Sequence, residues 1–149
     1  MLKALTSFFN ASAGDSAADH STERELELAT AVLLIEVARA DFSEDEIEIV
    51  AVAELIERHL KLPAREVREL VAQARREADR AASLQSFTRQ LHEELSNADK
   101  FKIIEMLWQV ALADETLDKH EDHLIRKIAG LLYVSHSDLI RIRNRVAER

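Results

Sequence analysis

Two stretches of this chain are apolar on nearly every side, and a helix of that kind can stand only in the middle of a fold. In residues 26–40 the side chains of Leu33, Leu34, Ile35 and Val37 crowd together, and in 101–113 Ile103, Ile104, Leu107, Trp108 and Ala111 do the same. A surface helix carries one apolar stripe, whereas a helix apolar all round must be wrapped by others. Only two glycines and one proline interrupt 149 residues, and helix formers recur at helical spacing through most of the rest. The expected class is all-α: a compact bundle of about seven helices with two of them central and buried. A chain of this length suits one domain and buries roughly two-thirds of its unfolded surface.

Punctuation signals divide the chain. Thr22 with Glu25 makes a capping box that opens the first central helix, running to about residue 40. The next helix ends near residue 60, because Pro63 disfavours helical geometry at Leu62 and suits the start of a new helix. That helix, about 64–82, turns Val67, Leu70, Val71 and Ala74 inward and arginines from Arg65 to Arg80 outward. Ser83 caps a short helix through residue 95, with Leu84, Phe87 and Leu91 inward. Ser96 and Asp99 form a box for the second central helix, a further helix covers 119–133, and Ser135 with Asp138 caps the last one, carrying Leu139, Ile142 and Val146. Residues 1–20 read as a short amphipathic segment, with Leu2, Leu5 and Phe9 on one side, followed by a linker over 11–20. The helical domain is 21–149.

Each central helix runs into an acidic turn. A shift of 73 positions lays Asp41 on Asp114, Asp45 on Asp118 and Glu48 on Glu121, so each copy reads Asp, three residues, Asp, two residues, Glu. Both follow an apolar run ending in alanine, Ala40 or Ala113. The pattern predicts a duplicated helix-loop-helix and hence an internal pseudo-twofold repeat. Glu121 precedes Leu124, Ile125 and Ile128 at spacings of three, four and seven, and Glu48 precedes Val52, Leu55 and Ile56 at four, seven and eight. Those spacings place both carboxylates on the buried stripe. A carboxylate taken out of water must be paired, hydrogen-bonded, protonated or bound to a cation. One answer is the helix itself: Asp118 with Glu121, and Asp45 with Glu48, fit the spacing of a capping box, and the macrodipole favours acids there. The other is a cation, and oxygen-only ligands suit Ca²⁺, Mg²⁺ or Mn²⁺. The spacing is not that of an EF-hand loop. His120 and His123 beside these acids offer zinc as a weaker reading, since they are one residue too close for the HExxH pattern.

The paired acidic segments in this order, with Leu84-Gln85-Ser86-Phe87-Thr88-Arg89 between them, resemble the TerB-like family, named for a tellurite-resistance protein. The resemblance spans about 23–146. It implies a compact all-helical fold with pseudo-twofold character, no enzymatic activity, and a divalent metal held by acids that here are Asp41, Asp45, Glu48, Asp114, Asp118 and Glu121. It also implies a role in bacterial tellurite and stress resistance, with protein partners in complexes at the membrane and a place in the cytoplasm or at the inner membrane face. Phe42 and Glu115 stand where the family usually has glycine after the loop Asp, which implies a differently shaped loop.

Composition narrows the alternatives. Twenty basic against twenty-eight acidic residues give a net charge of −8, which favours cations or basic partners over nucleic acid. The absence of cysteine removes thiolate metal sites and cysteine nucleophiles. Two glycines build neither a phosphate loop nor a nucleophile elbow, and the chain reads as a non-enzyme. No stretch approaches the length of a transmembrane span. The competing function is a structural or adaptor domain whose acids only cap helices and pair with Arg39 and Arg126. Its working surface would be the arginine face from Arg65 to Arg80, or the basic tail of Arg141, Arg143, Arg145 and Arg149.

Overall fold

The computed structural model describes residues 17–40, 46–80, 84–113 and 118–148. Among these, seven helices follow one another: α1 Ala17–Ala38, α2 Glu46–Leu60, α3 Ala64–Asp79, α4 Leu84–Glu94, α5 Asn97–Ala111, α6 Lys119–Leu131 and α7 His136–Ala147. The described residues contain no strand. The expected all-α class is what the chain adopts, and its two central helices are α1 and α5. Helix α1 packs on α2, α3, α4, α5 and α6, and α5 packs on α1, α2, α6 and α7. Leu33, Leu34 and Ile35 on α1, with Ile103, Ile104 and Trp108 on α5, are wholly shielded from solvent. The guanidinium of Arg143, from α7, lies 5.9 Å from the centre of the Trp108 ring.

Local chemistry sets most boundaries. Helix α2 stops at Leu60, and Lys61 takes a left-handed conformation (φ 55) with its N–H on the Glu57 carbonyl, a common helix ending. Pro63 then occupies the cap position of α3 in an extended conformation. Ser96 and Ser135 act as the N-caps of α5 and α7, each accepting from the amide of the residue three further on, Asp99 and Asp138, at 3.2 Å.

The start of α1 differs from expectation. The helix begins at Ala17, so residues 17–20 are helical where a linker was expected, and Thr22 lies inside the helix where a cap was expected. Ala17 and Ala18 are strong helix formers. A helix already held by its packed later turns extends at little cost, because each added residue gains a hydrogen bond without a new nucleus. The amphipathic reading of residues 1–10 lies outside the described residues.

Candidate functional site

Helices α1 and α5 end alike. Helix α1 closes at Ala38 and α5 at Ala111, so these two ends keep the 73-residue shift read from the acids. Ala40 N–H bonds to the Val37 carbonyl at 3.2 Å, and Ala113 N–H to the Val110 carbonyl at 3.2 Å. The exit of α1 is tied sideways to the end of α3 by Arg39 Nη2 on Asp79 Oδ1 at 2.8 Å.

Of the six acids expected to form a site, Asp41, Asp45 and Asp114 lie outside the described residues. Glu48 and Glu121 point inward as their spacing requires, 1% and 2% exposed, and each engages a polar or charged neighbour. Asp118 holds the N-cap position of α6, with φ −78 and ψ 140, yet its side chain accepts no capping hydrogen bond. Its Oδ2 is shielded from solvent and has no hydrogen-bond partner among the described residues. The cap proposed for Asp118 is therefore absent. Its backbone carbonyl alone serves the helix, accepting from Asp122 N–H at 3.0 Å.

Each of the two arginines has an acid beside it among the described residues. Arg126 Nε donates to Asp122 Oδ2 at 2.8 Å, one turn away on the same helix, and Arg39 reaches Asp79. Arg65 pairs with Glu69 on α3, and Arg80, at its C-cap, with Glu77, each at 3.5 Å, so part of that basic face is balanced by its own acids. His123 is exposed. Among the described residues no three His, Cys, Asp or Glu side chains gather as a metal-binding group. What the acidic turn of α6 offers is a hard oxygen donor in Asp118 Oδ2, one helical turn from the buried Glu121.

A second set of buried acids was not expected. Glu23 and Glu27 are buried on α1, and Arg24 approaches Glu27 Oε1 at 3.5 Å. Burial pushes the Glu27 carboxyl up to about 7; Arg24 opposes the shift, and Glu23 and Glu66 add to it. The spacing that singled out Glu48 and Glu121 applies in part here too, since Glu27 precedes the apolar Ala31 and Leu34 at four and seven.

A sequence model of the family described as tellurite resistance protein TerB matches residues 27–144, which takes in both acidic turns and all of α2 to α6. No curated protein and no solved structure matches the chain.

Proposed function

The chain belongs to the TerB family, and on that premise we propose that it is a non-catalytic binding module of the tellurite and stress response that takes up a divalent cation at its acidic turns. The observation that carries this reading is Asp118 Oδ2, a carboxylate oxygen removed from water with no donor beside it among the described residues. A bound cation would supply the partner that this oxygen lacks. Burial of Glu48 and Glu121 and the shared 73-residue register of the helix ends support treating Asp41, Asp45 and Glu48 as the counterpart of Asp114, Asp118 and Glu121. When bound, Ca²⁺, Mg²⁺ or Mn²⁺ would supply charge neutralisation and cross-link the turn to the first turn of the following helix.

Calorimetric titration of Ca²⁺, Mg²⁺ and Mn²⁺ tests this. Wild type should give saturable heat with at least one ion, and Asp118→Asn and Glu121→Gln should each abolish it. Three flat titrations, together with an Asp118→Asn variant that merely melts higher, would return the acids to a structural role.

One observation favours the adaptor reading beside it. Helices α5 and α7 enclose a cavity of about 230 Å³ lined by Phe101, Lys102, Arg141 and Arg145 among others, and the Arg141 guanidinium lies 5.7 Å from the Phe101 ring centre. The lining carries three bases and one acid, Glu105, and that excess of positive charge on a chain of net charge −8 suits an acidic segment of a protein partner. On this reading the module works in the cytoplasm within a membrane-associated complex. No helix among the described residues is long and apolar enough to cross a membrane, which fits attachment through partners. Charge reversal at Arg141 and Arg145 should then abolish capture of an acidic peptide and leave the cation heats unchanged.

A further inference from the structure

Lys100, in the first turn of α5, is 4% exposed. Its Nζ lies 2.6 Å from His92 Nδ1 on α4, while the adjacent acid, Asp99, reaches Lys102 at 3.7 Å instead. An ammonium has donors only, so Nδ1 accepts and the ring proton belongs on Nε2. With Nδ1 accepting, Nε2–H is the ring's remaining donor, and a positive charge lies behind it. Burial holds the Lys100 ammonium below the usual lysine range, the direction expected when a cation is taken out of water.

His92 also lines a cavity of about 390 Å³ between α4 and the end of α6, with Thr88, Arg89, Glu93, Leu131 and Tyr133 in the same wall. Arg89 and Glu93 are both exposed, and Glu93 is the one acid of the lining. Tyr133 stands where the chain leaves α6. Its N–H bonds to the Gly130 carbonyl at 3.1 Å and Val134 N–H to the Ala129 carbonyl at 2.8 Å. This is the Schellman closure, whose left-handed position ordinarily falls to glycine. Tyrosine occupies it at φ 60, which costs roughly 1 kcal/mol. The same residue is 76% exposed, and its ring centre is 4.4 Å from that of His92, tilted by 38°. A strained backbone that holds an aromatic ring in the open, over an imidazole backed by a buried cation, is a costly arrangement for packing alone.

We propose that this cavity binds a small aryl anion, its acidic group on His92 Nε2–H and Arg89 and its ring against Tyr133. The volume falls in the range of small-molecule sites, and the site lies at the opposite end of α6 from the acidic turn, about 20 Å away along the helix. It owes nothing to the cation reading.

Phenyl phosphate titrated into the full chain, followed through the His92 and Tyr133 ring protons by NMR, should shift both saturably. Lys100→Met and Arg89→Ala should each weaken binding by roughly tenfold, the loss expected of one charge-assisted contact. Tyr133→Gly should raise the melting temperature by relieving the left-handed strain and still weaken binding, a pairing of effects that a purely structural tyrosine would not give. Inorganic phosphate should bind more weakly than the ester. Absence of saturation, equal affinity for the two phosphates, or full affinity retained in Tyr133→Gly would each overturn the proposal.

Discussion

Glu27 lies on the buried side of α1, 3% exposed, with its carboxyl pushed up to about 7 by burial against an ordinary value of 4.5. Between those two values the folded chain keeps a proton that the unfolded chain has lost, so stability falls as pH rises through the window. Below it both states are protonated and the cost is absent; above it the cost is complete. Glu27→Gln should therefore be more stable than wild type at pH 8, by on the order of a few kcal/mol, and the gap should close towards pH 4. Urea unfolding across that range measures it, and a gap independent of pH would remove burial of the charge as the cause. Spacing to apolar neighbours placed Glu48 and Glu121 inside before any coordinates. Applied to every charged residue it also finds Glu27, and it finds Lys100, which precedes Ile103, Ile104 and Leu107 at three, four and seven. The shift of 73 positions lays Glu27 on Lys100, opposite in charge, so neither belongs to a repeated acid. Helical spacing fixes which side of a helix a residue occupies; it does not say which group from another helix will meet it, and His92 against Lys100 is such a meeting.

The helix ends give separate predictions. Ser135 Oγ accepts from Asp138 N–H at 3.2 Å and donates to Asp138 Oδ2 at 2.9 Å. The hydrogen bonds from Ser135 and Arg141 hold the Asp138 carboxyl below its ordinary range. Ser135→Ala should cost about 1 kcal/mol, read as a lower urea midpoint with an unchanged slope. Gly130 sits exposed in the last turn of α6 with helical backbone, and a Cβ built there meets nothing within 4 Å. Gly130→Ala should accordingly stabilise by about 0.5–1 kcal/mol, and a loss in the same measurement would point to a contact not anticipated there. Serine three residues before an acid identified the caps of α5 and α7 correctly. The same rule misplaced the start of α1 at Thr22 and assigned Asp118 a bond its side chain does not make. A capping pattern states what a side chain is able to do at a helix end. Burial decides whether it turns to the amides or inward.

Stability of the whole molecule rests on α1, which is wrapped by five other helices. Leu34 is fully shielded there, and Leu34→Ala should cost about 2–5 kcal/mol, transfer free energy plus the cavity left behind. Val50, exposed on α2, is the internal control: Val50→Ala should stay within about 0.5 kcal/mol of wild type. Similar losses at the two positions would contradict the assignment of α1 to the centre.

From the sequence alone came the helical class, the central pair of helices, the inward aim of Glu48 and Glu121 and the shared spacing of the acidic turns, because each follows from periodicity along a single helix. Only the tertiary structure decided that Arg39 reaches Asp79, that Asp118 Oδ2 is shielded with no donor among the described residues, and that His92, backed by Lys100, shares a cavity wall with Tyr133. Those relations join residues on different helices, and the angles and depths at which helices pack against one another set them. No local pattern carries that information.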